Sequence, residues 1–189
     1  MPGDDIVLST FNSQDAMTNT MHILDHALQH PFKKPPAAVF DVDETLLNNH
    51  DTIDDYFKIN PSGKILFQYA EKKNLPIFIV TARRKSTWSV KFLKAQLERL
   101  GYNTSKIEGV YMVPREYDHL NDGGSAYKQV ARKHIARTHT ILFTAGDRWG
   151  DVCNHNNSKT NRKHAKLNSK MYHTMIPVEA HTYLGIKFI

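Results

Sequence analysis

Acids, a hydroxyl and a lysine stand where the short apolar runs of this chain stop. The run Ala37 to Val42 ends in Asp41, Asp43 and Glu44, with Thr45 next; Leu75 to Val80 is followed at once by Thr81; Ile141 to Phe143 leads through Ala145 and Gly146 to Asp147 and Asp151. Lys128 precedes the last of these runs, in the first turn of a helix that Ser125 would cap. Carboxylates gathered in one place raise one another's proton affinity unless a cation neutralises them. A hard divalent ion with oxygen ligands, most naturally magnesium, would do so and would also attract a phosphate. A lysine at a helix start works against the macrodipole, a mild penalty that makes sense where an anion binds. Lys128, the amides of that helix start and the Thr81 hydroxyl would then cradle phosphate oxygens. Asp41 could attack phosphorus and form an aspartyl phosphate, which divides hydrolysis into two easier steps. Asp43 could protonate the leaving alkoxide and later activate water.

These residues need a frame that brings them to one rim. Apolar runs alternate with amphipathic helical stretches: Gly63 to Asn74, Ser86 to Leu100 and Ala126 to Arg137 each precede a run, the third of which is Val110 to Val113. That alternation predicts an α/β fold with a parallel sheet of about five strands covered by helices on both faces. In such a sheet the ligand site lies beyond the carboxyl ends of the strands, where the acids stand. Met171 to Ile176 is the expected last strand; the terminal LGIKFI could dock as a strand or meet a partner. Ser13 to Gln29 has Met17, Met21, Leu24 and Leu28 at helical spacing and stops at Pro31, Pro35 and Pro36. The expected division is an N-terminal helix and Pro-rich linker, 1–36, and a catalytic domain, 37–189, ending in a basic segment, 154–189.

The stretch FDVDETLL resembles the first motif, DxDxT, of the haloacid dehalogenase (HAD) superfamily phosphatases. IVTAR at Ile79 to Arg83 resembles the second motif, Lys128 in SAYKQVAR the third, and GDRWGD at Gly146 to Asp151 the fourth in its GDxxxD form. The four occur in the family's order, and the wording is similar to the acid phosphatase-like subfamily III, of the class B or IIIB kind. The resemblance implies a Rossmann-like fold and a magnesium-dependent phosphatase. It makes Asp41 nucleophile and metal ligand, Asp43 acid/base with its carbonyl on the metal, and Asp147 the third ligand. Thr81, Ala82 and Lys128 would bind the phosphoryl group, Thr45 and Asp151 would support, and Arg83 and Trp149 are candidate substrate contacts. Only sixteen residues, Leu46 to Pro61, separate the first motif from the next helix, so a flap is expected rather than a large cap. The pocket should then be open, and Tyr56, Phe57, Trp88, Tyr117 and Trp149 are aromatic candidates to stack on a ring, with core packing the plainer role.

Of 189 residues, 40% are apolar and 10% aromatic, enough for a buried core and against disorder. No apolar window reaches the roughly 18 residues of a membrane span, and the first thirty residues do not read as a secretory signal. With a single cysteine, Cys153, no internal disulfide can form, and an intracellular, cytoplasmic setting is expected. The formal charge is +6, and from Val152 onward six Lys or Arg face one acid, Glu179. That segment could hold nucleic acid, which would make the protein an end-processing enzyme, or serve only as a solvated face. Small phosphomonoesters, nucleotides among them, are the expected substrates, and a phosphoaspartate receiver module is the non-enzymatic alternative. Cys153, His155, His164 and His173 match no familiar zinc spacing.

Overall fold

The computed structural model describes residues 13–48, 58–117, 123–152, 173–176 and 182–188. Six strands form one sheet: β1 (Pro36–Phe40), β2 (Ile77–Arg84), β3 (Ile107–Val113), β4 (Thr140–Gly146), β5 (His173–Ile176) and β6 (Thr182–Phe188). The helices are α1 (Ser13–Leu28), α2 (Pro61–Lys72), α3 (Val90–Arg99), α4 (Gly123–Ile135) and the single turn α5 (Trp149–Val152). The spatial order is β3-β2-β1-β4-β6-β5. The chain therefore builds outward from β1 to β3 on one side and returns across β1 to begin again at β4. That reversal between β1 and β4 is where an open α/β sheet leaves a crevice beyond its strand ends.

Five strands are parallel, as the alternating pattern predicts, and β1 is buried on both faces. Two details differ. The stretch expected to close the parallel sheet, Met171 to Ile176, supplies the antiparallel edge strand β5, while the terminal residues insert as β6 between β4 and β5. A strand that is half apolar reads alike in either direction, so local pattern could not order the pair. The second difference concerns α4, which starts at Gly123, so Ser125 lies inside it and Lys128 in its second turn. The Gly pair looks like a turn by composition, but packing of Ala131 and Ile135 beside Val39, Phe78 and Ile141 overrides that weak preference.

The larger core joins Phe40, Phe67 and Phe143, all fully buried, with Leu66, Leu93, Leu97 and Ile79; Met17 and Leu24 of α1 belong to the same cluster. Each such side chain contributes about 2–3 kcal/mol by leaving water. α1 is further tied to α2 by Tyr69, whose hydroxyl donates to Asp25 Oδ1 at 2.6 Å, and by the Lys73–Asp25 ion pair at 2.8 Å. Among the described residues no helix is long and apolar enough to cross a membrane.

The loop leaving β1 is held from several sides. Val42 O accepts from the amides of Thr45, Leu46 and Leu47, and Tyr102 Oη donates to Leu46 O at 2.6 Å. Glu44 takes φ 57, a left-handed backbone that costs a residue with a Cβ about 1 kcal/mol or more. Asn60 offsets this: its Nδ2 donates to Glu44 O at 3.0 Å while its Oδ1 caps α2 through the amides of Ser62 and Gly63. Gly63 is needed for closeness, since a Cβ there would lie 1.8 Å from Thr45 O. Asn60→Ala should therefore lower unfolding free energy by about 1–2 kcal/mol, read by urea denaturation, with Asn60→Asp retaining the cap but not the Glu44 bond and falling between. Equal stability of all three would refute the clamp. Beyond Leu47 the amide of Asn48 donates to Lys58 O at 2.9 Å; residues 49–57 of the expected flap, Tyr56 and Phe57 among them, lie outside the described ones.

Candidate active site

Asp41 follows β1 and Asp147 follows β4, on either side of the crevice, and the Asp41 amide donates to Ala145 O at 2.9 Å, which locks the two strand ends together. One carboxylate oxygen each from Asp41, Asp147 and Asp151 lie within 4.8 Å of one another. Asp151 reaches the group because Gly146 leaves room: a Cβ at 146 would fall 2.1 Å from Asp151 Cβ. Into the cluster comes Lys128 from α4, 3% exposed, with Nζ 3.0 Å from Asp41 Oδ1 and hydrogen-bonded to Asp151 Oδ1.

Three carboxylates and one ammonium leave two negative charges uncompensated if all ionise. Burial raises the Asp41 pKa; Lys128 opposes this, but Asp151, Asp147 and Asp43 push it further up. Burial and then Asp151 drive Asp147 up to about 6 in spite of Lys128 and Arg148. For Lys128 burial favours the neutral amine, yet Asp151 and Asp41 outweigh it and the ammonium is held more firmly than usual. Among the described residues Asp41 Oδ1 makes no aligned hydrogen bond, and Lys128 Nζ is its ion-pair partner. A buried, crowded, hard oxygen set with two excess negative charges fits a divalent cation of the magnesium or calcium kind.

The other expected residues are placed as follows. Thr81, fully buried near the end of β2, accepts the Arg83 amide at 3.2 Å through Oγ1, so its proton is available to another acceptor. Ala82 is exposed at the rim beside it. Thr45 is buried and its hydroxyl has no hydrogen-bond partner among the described residues, and Asp151 Oδ2 accepts the Arg148 amide at 2.9 Å, so both Asp151 oxygens are engaged. Asp43, its side chain 36% exposed, is paired with Arg83 rather than standing alone. The side chain of Trp149 lies outside the described residues, as do Cys153, His155 and His164 and the side chain of His173.

Three contributors escape a reading of the sequence alone. Arg132, one turn beyond Lys128 on α4 and 1% exposed, donates from Nη1 to Gly150 O at 2.9 Å and Asp151 O at 3.1 Å. Thr144 Oγ1 donates to the same Asp151 carbonyl at 2.8 Å. Gln96 lies on the buried face of α3 with Leu93 and Leu97 and holds Arg83. A polar residue in an apolar helical stripe was the available signal for Gln96; Arg132 had only its spacing of four from Lys128.

A reversed parallel sheet with a carboxylate cluster and a buried lysine at its switch point is the frame of a HAD-type hydrolase. Residues 55–175 match the model of the HAD superfamily, subfamily IIIB (acid phosphatase). The chain belongs to that family and is a phosphatase, a phosphoric monoester hydrolase. The matched stretch starts after the Asp41 to Thr45 motif and takes in Thr81, Lys128 and Asp147. No curated protein matches the chain. The fold is shared with the class C acid phosphatase from Bacillus anthracis, 21% identical with a TM-score of 0.61 over 81% of this chain and 72% of that one. The class C acid phosphatase from Bacillus anthracis with tungstate bound is also similar, at 22% identity and a TM-score of 0.57 over 83% and 76% of the two chains.

Proposed function

We propose that the protein hydrolyses small phosphomonoesters, nucleotides among them, through an aspartyl phosphate on Asp41 with magnesium as cofactor. The observation that carries this is the meeting of Asp41, Asp147 and Asp151 with buried Lys128 at the sheet's switch point. Asp41 and Asp147 side chains, with the Asp43 carbonyl, would hold the cation, which when bound supplies charge neutralisation for the approach of a phosphate dianion.

An Asp41 carboxylate oxygen attacks phosphorus; the bond from phosphorus to the ester oxygen breaks, and that oxygen takes a proton from Asp43. Water then attacks the same phosphorus while Asp43 takes its proton, and Asp41 leaves as a carboxylate. Lys128 has three N–H donors, of which Asp151 engages one, and with Asp41 as its ion-pair partner it still has a donor for a phosphoryl oxygen; the Thr81 proton and the Ala82 amide supply others.

A groove of about 500 Å³ beside the second motif, lined by Lys85, Ser86, Thr87, Trp88, Ser89 and Phe92, supports an aromatic leaving group. Its Trp88 and Phe92 rings lie 5.5 Å apart, and Phe92 is 55% exposed. A cytoplasmic setting belongs to the same reading, supported by the lone Cys153. The test is phosphate release from nucleoside monophosphates, sugar phosphates and 3′- or 5′-phosphorylated oligonucleotides, with and without magnesium. Release from the small esters only with magnesium supports the reading. Activity confined to oligonucleotides would assign the basic segment 154–189 to nucleic-acid binding instead. Tungstate, an oxyanion of phosphate shape, should compete with substrate.

Metal binding should depend on pH in a fixed direction. Asp147 and Asp41 have folded-state pKa values above the ordinary 3.8, so protons stabilise the metal-free protein at low pH, and that contribution is lost as pH rises through about 6 for Asp147 and about 8 for Asp41. Magnesium competes with those protons. The rise in Tm on adding saturating magnesium should therefore be small at pH 5 and grow by pH 7.5, measured by scanning fluorimetry. An equal rise at both pH values would count against the carboxylate cluster as the binding site.

A further inference from the structure

Arg83 sits two residues beyond Thr81, a position that suggests contact with substrate, yet its guanidinium is engaged within the protein. Its side chain is 4% exposed. Nη2 donates to Asp43 Oδ1 at 2.6 Å and Nε to Asp43 Oδ2 at 3.0 Å, a forked contact with one carboxylate. Nη1 donates to Gln96 Oε1 at 2.7 Å, and Cζ lies 4.4 Å from the centre of the Trp88 ring. Three neighbours from three places in the chain thus define the plane of one guanidinium.

Resting on the phosphatase reading above, we propose that Arg83 is a positioning residue: it holds the Asp43 carboxylate in one orientation so that proton delivery to the leaving group depends on it and phosphoryl binding does not. Asp43 lies on a loop with its side chain 36% exposed, and an aspartate side chain has more than one staggered rotamer. A planar fork selects one and leaves each oxygen a second lone pair, on which Asp43 must carry the proton it delivers; the fork is itself fixed by Gln96 on α3 and by stacking on Trp88. Lysine cannot replace it, because a single ammonium offers no matching plane. Misplacement of a proton donor by about 1 Å costs up to about 100-fold in rate.

Leaving groups differ in their need for that proton. An alkoxide must be protonated as the bond breaks, whereas a dinitrophenolate leaves as the anion. The full chain with magnesium, as Arg83→Ala, Arg83→Lys and Gln96→Leu, is assayed on glycerol phosphate, phenyl phosphate and 2,4-dinitrophenyl phosphate. For Arg83→Ala we expect kcat on glycerol phosphate to fall about 30- to 100-fold and on the dinitrophenyl ester less than about 5-fold, with KM within about 3-fold throughout. Arg83→Lys should behave like the alanine variant, and added guanidinium ion should restore part of the Arg83→Ala rate on the alkyl ester alone. Gln96→Leu, which keeps the arginine, should show the same pattern at about 5-fold and decides the matter if Arg83→Ala does not fold. Equal losses on all three esters, or a rise in KM as the main effect, overturn the proposal and return Arg83 to the substrate. Failure of the unaltered protein to hydrolyse any ester overturns the phosphatase reading, a result distinct from uniform loss in the variants.

Discussion

Asp41→Asn should abolish turnover, lowering kcat at least about 10³-fold on every ester, leaving group notwithstanding. The reason is chemical rather than structural: the amide has nearly the shape of the carboxylate but no nucleophilic oxygen anion. The fold should survive, because the substitution removes one of three crowded carboxylates and with it the repulsion from Asp151 and Asp147, while giving up the 3.0 Å ion pair with Lys128. In metal-free protein at pH 7.5 these changes oppose one another, and Tm should change little. The magnesium-induced rise in Tm should shrink, since an oxygen ligand has lost its charge. The unaltered enzyme offers a second check on the intermediate. If all esters pass through one aspartyl phosphate, the ratio of inorganic phosphate to phosphorylated glycerol formed in added glycerol must be the same for every leaving group. A ratio that follows the leaving group, or an Asp41→Asn variant retaining a tenth of its activity, would remove Asp41 from the nucleophile's role.

How much of this arrangement could be read beforehand depends on how local each cause is. Asp41 and Asp147 were legible because each follows a buried strand, and Thr81 because the apolar run stops there although β2 continues to Arg84; a parallel sheet places all its strand ends on one rim. The role of Asp151 as partner to Lys128 was half legible: its spacing in GDRWGD could be seen, but its contact depends on Gly146 admitting its side chain. Asn60 was not singled out in the sequence: its cap of α2 is a local matter, but its second bond, to the left-handed Glu44, exists only because the α2 start is pressed onto the motif loop. Arg132 and Gln96 act across elements 18 and 13 residues away, a separation over which residue type alone carries no direction. The order of β5 and β6 was hidden for the same reason, since pairing is decided by neighbours that local periodicity does not name.

Lys128→Met should have the largest effect on stability. The ammonium is buried between Asp41 and Asp151, and a thioether of similar length fills its space without its charge. Asp151 would then lack its cation, while Asp41, already pushed up to about 8, takes a proton instead, so the loss in metal-free protein at pH 7.5 should be about 3 kcal/mol. The sign with pH follows from the remaining groups. Without Lys128 the Asp41 and Asp147 carboxylates lose the cation that opposes their upward shift, so each takes a proton at still higher pH. Protonation in acid relieves the unpaired charge, and the deficit relative to the unaltered protein should shrink toward pH 5. Urea denaturation at the two pH values measures this directly. Adding Asp151→Asn to Lys128→Met should recover part of the loss at pH 7.5, since one orphaned charge is gone, and the double-mutant cycle reads their coupling. Activity should not return with stability: the double variant still lacks the donor that faces the phosphoryl group, so kcat should remain at least about 100-fold down even where the fold is restored. If the single variant is as stable as the unaltered protein at pH 7.5, the lysine is not compensating the carboxylates, and the electrostatic account of the site fails with it.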